Sequence, residues 1–349
     1  MNINKEHLEK YAGRIIFDYL NIERKIQISF TDNVLLFNKS QSENCIEIGR
    51  YSITMMLLFS CFSINKKLFQ RILYYYYWAC KSIVERKVGT CAFFLTKLRE
   101  EICTNVNKMQ WYARLIHLDL MLHFIIGHET YHILFAQDES LKRKAIVDIG
   151  DFMKDIYKNK KRSKNKIGEY LLDLSLENIL EDDCFKEEIA CDKNSILFLF
   201  KTKLNCNTNH DMQFYESIYQ QLLDMVMMFQ YNGIHSSDFI NYMSKDNAKQ
   251  FINTQFYGVF RLWVTANTIA ETDKYNVNVY SCLERTKERY DSIYSKKMRI
   301  RLCEYGMANN NEKVQLTDGD IMNKYRHQMC LMSDLINNML IGEEIFNTA

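Results

Sequence analysis

A chain of 349 residues with no proline is free to run as long helices. Proline is the strongest helix breaker, because it removes a backbone donor and its ring clashes with the preceding turn. Its absence makes apolar periodicity the main guide to secondary structure and leaves helix ends and domain boundaries unmarked. The strongest periodic run is Leu118-Asp119-Leu120-Met121-Leu122-His123-Phe124-Ile125-Ile126, which continues through Gly127 to Ile133-Leu134-Phe135. One helix over 109–137 is expected there. It carries Gly127-His128-Glu129-Thr130-Tyr131-His132, an H-E-x-x-H pattern with no loop residues around it.

On a helix, His128 and His132 lie one turn apart on the same face. Two imidazoles so placed can share one zinc ion, and Glu129 can take the proton of a water that the ion activates. Zinc suits this arrangement because it accepts nitrogen and oxygen ligands tetrahedrally and can leave one position open. The plainer alternative is a core helix whose two histidines are simply hydrogen-bonded. His117 and His123 share the run, but His123 points to another face from His128 and reads as a packed or capped side chain.

A catalytic zinc needs a third protein ligand. Downstream lies Phe185-Lys186-Glu187-Glu188-Ile189-Ala190-Cys191-Asp192-Lys193-Asn194-Ser195, in which Glu188 and Asp192 are an i,i+4 pair and point the same way from one helix. Glu187 competes as a ligand but has no acidic residue four positions on. Cys191 offers a thiolate alternative, and an exposed acidic helix start is the bland reading.

Together the two stretches resemble gluzincin-type zinc metallopeptidases, in which H-E-x-x-H is followed by an E-x-x-A-D element. Here Cys191 stands where Ala is usual, a small departure because buried Cys behaves as a small apolar residue. The resemblance covers 110–200. It implies a zincin-like core, a Zn2+ cofactor held by His128, His132 and Glu188, Glu129 as the catalytic base, and Asp192 accepting the free N–H of His128 or His132. Metzincins fit worse, because their third His and preceding Gly would fall at Asp138 and Phe135. The overall layout is similar to that of phage-exclusion peptidases of the Lit type.

The resemblance weakens toward the C-terminus. The segment Ser292–Leu302 is similar to the start of a C-terminal helix in some gluzincins, but their His-Pro pair is missing. The oxyanion donor is therefore open between Tyr294 and Arg301, with His235 and His327 as alternatives.

The remaining pattern is mostly helical. An amphipathic helix is expected over Lys5–Tyr19, followed by two or three short antiparallel strands at Lys25–Phe30, Asn33–Phe37 and Cys45–Ile48. Thr31-Asp32 and Asn38–Asn44 read as turns between them. One strand could receive substrate as an added strand, or the sheet could be plain support. Helices follow at Ser52–Ser63, Lys66–Arg86, Cys91–Val106, Met212–Tyr231, Phe251–Glu271 and Tyr280–Tyr305, with a break near Gly89. The aromatic run Tyr74–Trp78 and the stretch Met225–Met228 read as core. Residues 138–183 form an insert between the two ligand elements. Its basic run Lys158–Lys166 and acidic end Glu181-Asp182-Asp183 read as solvated, with a lid or docking patch as the alternative.

The expected fold is thus mainly α with a small N-terminal antiparallel β element (α+β). Three regions are expected: 1–50, a zincin-like helical core over 51–205, and a C-terminal helical region over 206–349. An apolar content of 47% supports a core, and a net charge of +2 favours no class of partner. The basic run lacks the interleaved aromatics that nucleic-acid binding would use. Eleven Cys with no C-x-x-C pair suggest reduced thiols, and no apolar leader or spanning stretch is visible, so a cytoplasmic location is expected. The expected activity is zinc-dependent endopeptidase cleavage of an intracellular protein, and the Lit-type resemblance implies a role in phage defence. The rivals are a zinc-binding regulator without turnover and a helical interaction module in which the motif is accidental.

Overall fold

The computed structural model describes residues 9–10, 13–14, 16, 26–31, 38–42, 44–49, 66–84, 87–106, 111–160, 180–204, 212–241 and 247–293. Three strands, β1 (Gln27–Thr31), β2 (Asn38–Ser42) and β3 (Cys45–Gly49), precede the long helices. The helices are α1 (Lys66–Val84), α2 (Val88–Val106), α3 (Trp111–Gln137), α4 (Glu139–Lys160), α5 (Asp183–Leu199), α6 (Met212–Asn241), α7 (Asn247–Thr272) and α8 (Val279–Ile293). The mainly helical character follows the apolar periodicity. Within the expected Lys5–Tyr19 helix, the described residues are helical and Ile16 is buried. The expected strand Asn33–Phe37 and helix Ser52–Ser63 lie outside the described residues, as does the part of Tyr280–Tyr305 beyond 293.

The sheet differs from the all-antiparallel expectation. Its order is β1-β3-β2; β2 pairs with β3 antiparallel, but β1 pairs with β3 in parallel. Alternation of Ile28, Ile46 and Ile48 fixes which face is buried, and the register sets Ile28 beside Ile46. A period of two says nothing about strand direction, so the pattern could not choose parallel from antiparallel. Strand β2 also occupies a stretch that reads as turn. Its polar residues are tolerated because it is an edge, and backbone pairing to β3 outweighs weak local propensity.

Helix α3 is the axis of the fold. Every residue from Leu120 to Thr130 is buried, which an amphipathic surface helix would not allow. It packs against α5, α4 and α6 and against strands β2 and β3. Gln137 Nε2 donates to Asn44 Oδ1 at 2.8 Å, tying its C-terminal end to the β2–β3 turn. His123 is held within its own helix, with Nδ1 2.8 Å from the Asp119 carbonyl, as its separate face suggested. Helix α5 lies against α3 closely enough for Ser195 Oγ to donate to the Phe124 carbonyl at 2.8 Å. Helix α7 also packs on α5, and α6 and α8 pack against α7 and each other.

Three further features bear on the sequence reading. The expected break near Gly89 is present: α1 ends at Val84 and α2 begins at Val88, so Gly89 lies in the first turn after it. The aromatic run on α1 divides: Tyr76 is fully buried, whereas Tyr74 is exposed and meets Phe94 of α2 edge-on. Met225, Val226 and Met227 are buried on α6, in keeping with a core role.

Candidate metal centre

The H-E-x-x-H residues sit in the C-terminal half of α3, where its burial gives way at Tyr131 and His132, and the third candidate ligand comes from α5. The start of α5 is set locally: Asp182 is its N-cap and accepts from the Phe185 N–H at 2.9 Å. The acidic stretch Glu181–Asp183 therefore ends in a capping residue. From that start, Glu188, Asp192 and Ser195 share one face, and Ser195 presses the face onto α3.

Three donor atoms converge there. His128 Nε2 and His132 Nε2 are 3.1 Å apart, His128 Nε2 is 3.3 Å from Glu188 Oε2, and His132 Nε2 is 3.2 Å from Glu188 Oε1. These residues are the one group among those described whose His, Cys or carboxylate atoms gather at a spacing that could hold a metal ion. Zinc bonds of about 2.0–2.1 Å to nitrogen and oxygen place two tetrahedral ligands roughly 3.3 Å apart. The observed separations match that edge length. The set is also open on one side: the side chains of His128, His132 and Glu188 are 9%, 20% and 41% exposed. A structural zinc site would be closed on all sides.

Each imidazole is backed by a carboxylate on its other nitrogen. His128 Nδ1 lies 2.9 Å from Asp192 Oδ1, and His132 Nδ1 lies 2.9 Å from Glu187 Oε1. Such partners set the ring tautomer and turn Nε2 toward the ion. Glu187, the competing ligand in the sequence, takes this supporting place instead. Each supporting carboxylate has its own cation. Arg261 of α7 grips Asp192 with two hydrogen bonds, Nε to Oδ2 at 2.6 Å and Nη2 to Oδ1 at 2.8 Å. Lys142 of α4 stands 2.6 Å from Glu187 Oε2.

The charges around the site favour a cation at its centre. Burial works to lower the His128 imidazole, but hydrogen bonds to Asp192 and Glu188 outweigh it and push it up to about 10. His132 is likewise raised against its burial, chiefly by Glu188. Partial burial works to raise Glu188, but bonds from both imidazoles outweigh it and hold the carboxyl well below the usual range. Asp192 is lowered despite its burial, by the charge of Arg261 and the bond to His128. Glu129 is buried, and its charge is felt at His132.

The structure thus brings together His128, His132, Glu188 and Asp192, and of the two imidazoles it assigns Asp192 to His128. Cys191 is not among the converging donors: it is fully buried, and burial with the neighbouring carboxylates pushes its thiol well up. The oxyanion candidates Tyr294 and Arg301, and the alternative His327, lie outside the described residues. His235 falls within α6, but its side chain is outside what is described.

Arg261 and Lys142 did not emerge from the sequence. Arg261 left a trace as the lone cation in the apolar stretch Val259-Phe260-Arg261-Leu262-Trp263-Val264, where an unpaired charge would be costly. Lys142 left none, since Lys142-Arg143-Lys144 offers three adjacent cations and only the fold selects one.

No family model matches the chain, and neither the curated proteins nor the solved structures contain a match. No described helix is long and apolar enough to cross a membrane.

Proposed function

We propose that this protein is a zinc-dependent endopeptidase of the gluzincin kind, hydrolysing a peptide bond in an intracellular protein. The observation that carries this reading is the convergence of His128 Nε2, His132 Nε2 and the Glu188 carboxylate, whose two oxygens lie 3.3 and 3.2 Å from the two nitrogens, on the helix that carries the H-E-x-x-H glutamate. The donor set of two imidazoles and one carboxylate suits zinc, and its open side suits a catalytic site. Bound there, zinc would supply Lewis acidity and an acidified water at neutral pH.

The chain's own residues would do the rest. The carboxylate of Glu129, a buried residue adjacent to His128 in the chain, would accept a proton from the attacking water and return it to the leaving amine nitrogen. Asp192 and Glu187 hold the two rings in orientation, and Arg261 keeps the buried Asp192 ionised. Strand β2, an edge of the sheet that packs on α3, suits an extended peptide. The resemblance of the sequence layout to Lit-type peptidases implies a role in phage defence, in which cleavage of a host protein follows infection.

The test has two parts. Protein purified without a histidine tag should carry close to one zinc per chain by metal analysis. Cells expressing wild type should yield a cleaved protein fragment, detected by mass spectrometry of new N-termini, and Glu129→Gln should retain zinc without producing it. A metal-free wild type removes the zinc reading. Zinc retained, with identical N-termini from wild type and Glu129→Gln, leaves a zinc-binding regulator in its place.

A further inference from the structure

The two imidazoles of the metal centre are supported unequally. Behind His128, Asp192 is 1% exposed and sealed by the two hydrogen bonds from Arg261. Behind His132, the pair is at the rim: the Glu187 side chain is 17% exposed and Lys142 32% exposed. Lys142 belongs to neither helix that carries ligands. It stands in the first turns of α4, whose start is fixed by Asp138, where Oδ1 accepts from the Ser140 and Leu141 N–H groups at 3.0 Å each. Asp138 alone separates α3 from α4, so the cap that begins α4 also determines where Lys142 stands relative to His132.

Glu187 is thereby divided between two positive groups, with Oε1 2.9 Å from His132 Nδ1 and Oε2 2.6 Å from Lys142 Nζ. We infer that Lys142 is a positioning residue that sets how much negative charge Glu187 delivers to His132, and so tunes the grip of the site on its metal. The inference rests on the metal reading above. A carboxylate behind the Nδ1–H makes the opposite nitrogen a stronger donor. An ammonium on that carboxylate's other oxygen draws charge away and adds its own repulsion to a nearby cation. Loss of the Lys142 charge should therefore strengthen metal binding. Loss of the Glu187 charge should weaken it twice over, by removing the support and by leaving Lys142 uncompensated beside the site. A salt bridge that did no more than fasten α4 to α5 would make the two losses equivalent, because either one breaks the same contact.

The opposite signs make the experiment. Zinc affinity is measured on the full chain by competition with a chromophoric chelator, for wild type, Lys142→Met, Lys142→Arg and Glu187→Gln. Thermal unfolding of the zinc-free proteins is followed in parallel. Glu187→Gln should bind zinc about 10- to 100-fold more weakly. Lys142→Met should bind several-fold more tightly even if its zinc-free form melts lower, and Lys142→Arg, which keeps the charge, should behave as wild type. Lys142 is on the rim, so its Met variant alone settles the sign should Glu187→Gln fail to fold. Affinity unchanged or weakened in Lys142→Met overturns the inference and leaves the metal reading standing. A wild type that takes up no zinc overturns both.

Discussion

Replacing Arg261 by Met tests whether the buried half of the site is held as described. Met keeps much of the volume and the apolar stem but removes the charge and both donors. In the native protein those donors reach Asp192 at 2.6 and 2.8 Å, and Asp192 is 1% exposed. Breaking a buried pair from one side leaves a carboxylate with no water to replace the lost partner, at a cost of about 3–5 kcal/mol. His128 Nδ1, 2.9 Å away, still faces Asp192 and absorbs part of that cost, so the lower end, about 3 kcal/mol, is expected. The assay is urea unfolding of the zinc-free protein at neutral pH. Adding Asp192→Asn removes the stranded charge, so the double variant should be more stable than the sum of the single losses by about 2 kcal/mol.

The pH dependence has a definite sign. Asp192 has a folded pKa below its unfolded value, so its contribution is present above about pH 4 and lost as pH falls through the folded value. The gap between wild type and Arg261→Met should be full at neutral pH and close in acid. A loss under about 1 kcal/mol, or additive effects in the cycle, would show that Arg261 does not hold Asp192.

Zinc binding to the metal-free protein should release protons at pH 7, because the imidazoles, with His128 near 10, carry protons that the metal displaces. Affinity should accordingly rise with pH across the neutral range, and calorimetry in buffers of different ionisation enthalpy measures the release; no release would contradict the charge distribution described. Removing zinc with a chelator should lower the melting temperature, and restoring it to 100 times its Kd should recover about 2.7 kcal/mol. In native protein, iodoacetamide should label the exposed Cys103 and Cys184 and spare Cys191, which is fully buried; mass spectrometry reads the three sites. Ser195→Ala should cost about 1–2 kcal/mol by loss of the buried bond to the Phe124 carbonyl, and a neutral result would mean that α5 is held on α3 by packing alone.

Much of the site was legible because helix geometry links spacing to direction. His128 and His132 at i,i+4 and Glu188 and Asp192 at i,i+4 share faces on any regular helix, so each pair could be read before its helix was located in space. Helix α4 could have been anticipated on the same grounds, since Asp138 is a capping residue followed by Ile146, Ile149 and Met153 at helical intervals. Strand β2 is the opposite case: Asn38-Lys39-Ser40-Gln41-Ser42 has no strand propensity, and only its pairing with β3 makes it a strand.

What the amino-acid order determined by itself is local: a mainly helical chain, a buried axis through α3, and donor groups presented in pairs. What only the tertiary structure decided is which elements meet. Glu187 and Glu188 are chemically identical neighbours, yet Glu188 faces the Nε2 atoms of the candidate metal site while Glu187 lies against His132 Nδ1, a division set by how α5 packs on α3. Arg261 and Lys142 reach the site from α7 and α4 by the same kind of long-range packing. Periodicity reports the face of a helix but not its neighbour, so those partnerships required the folded chain.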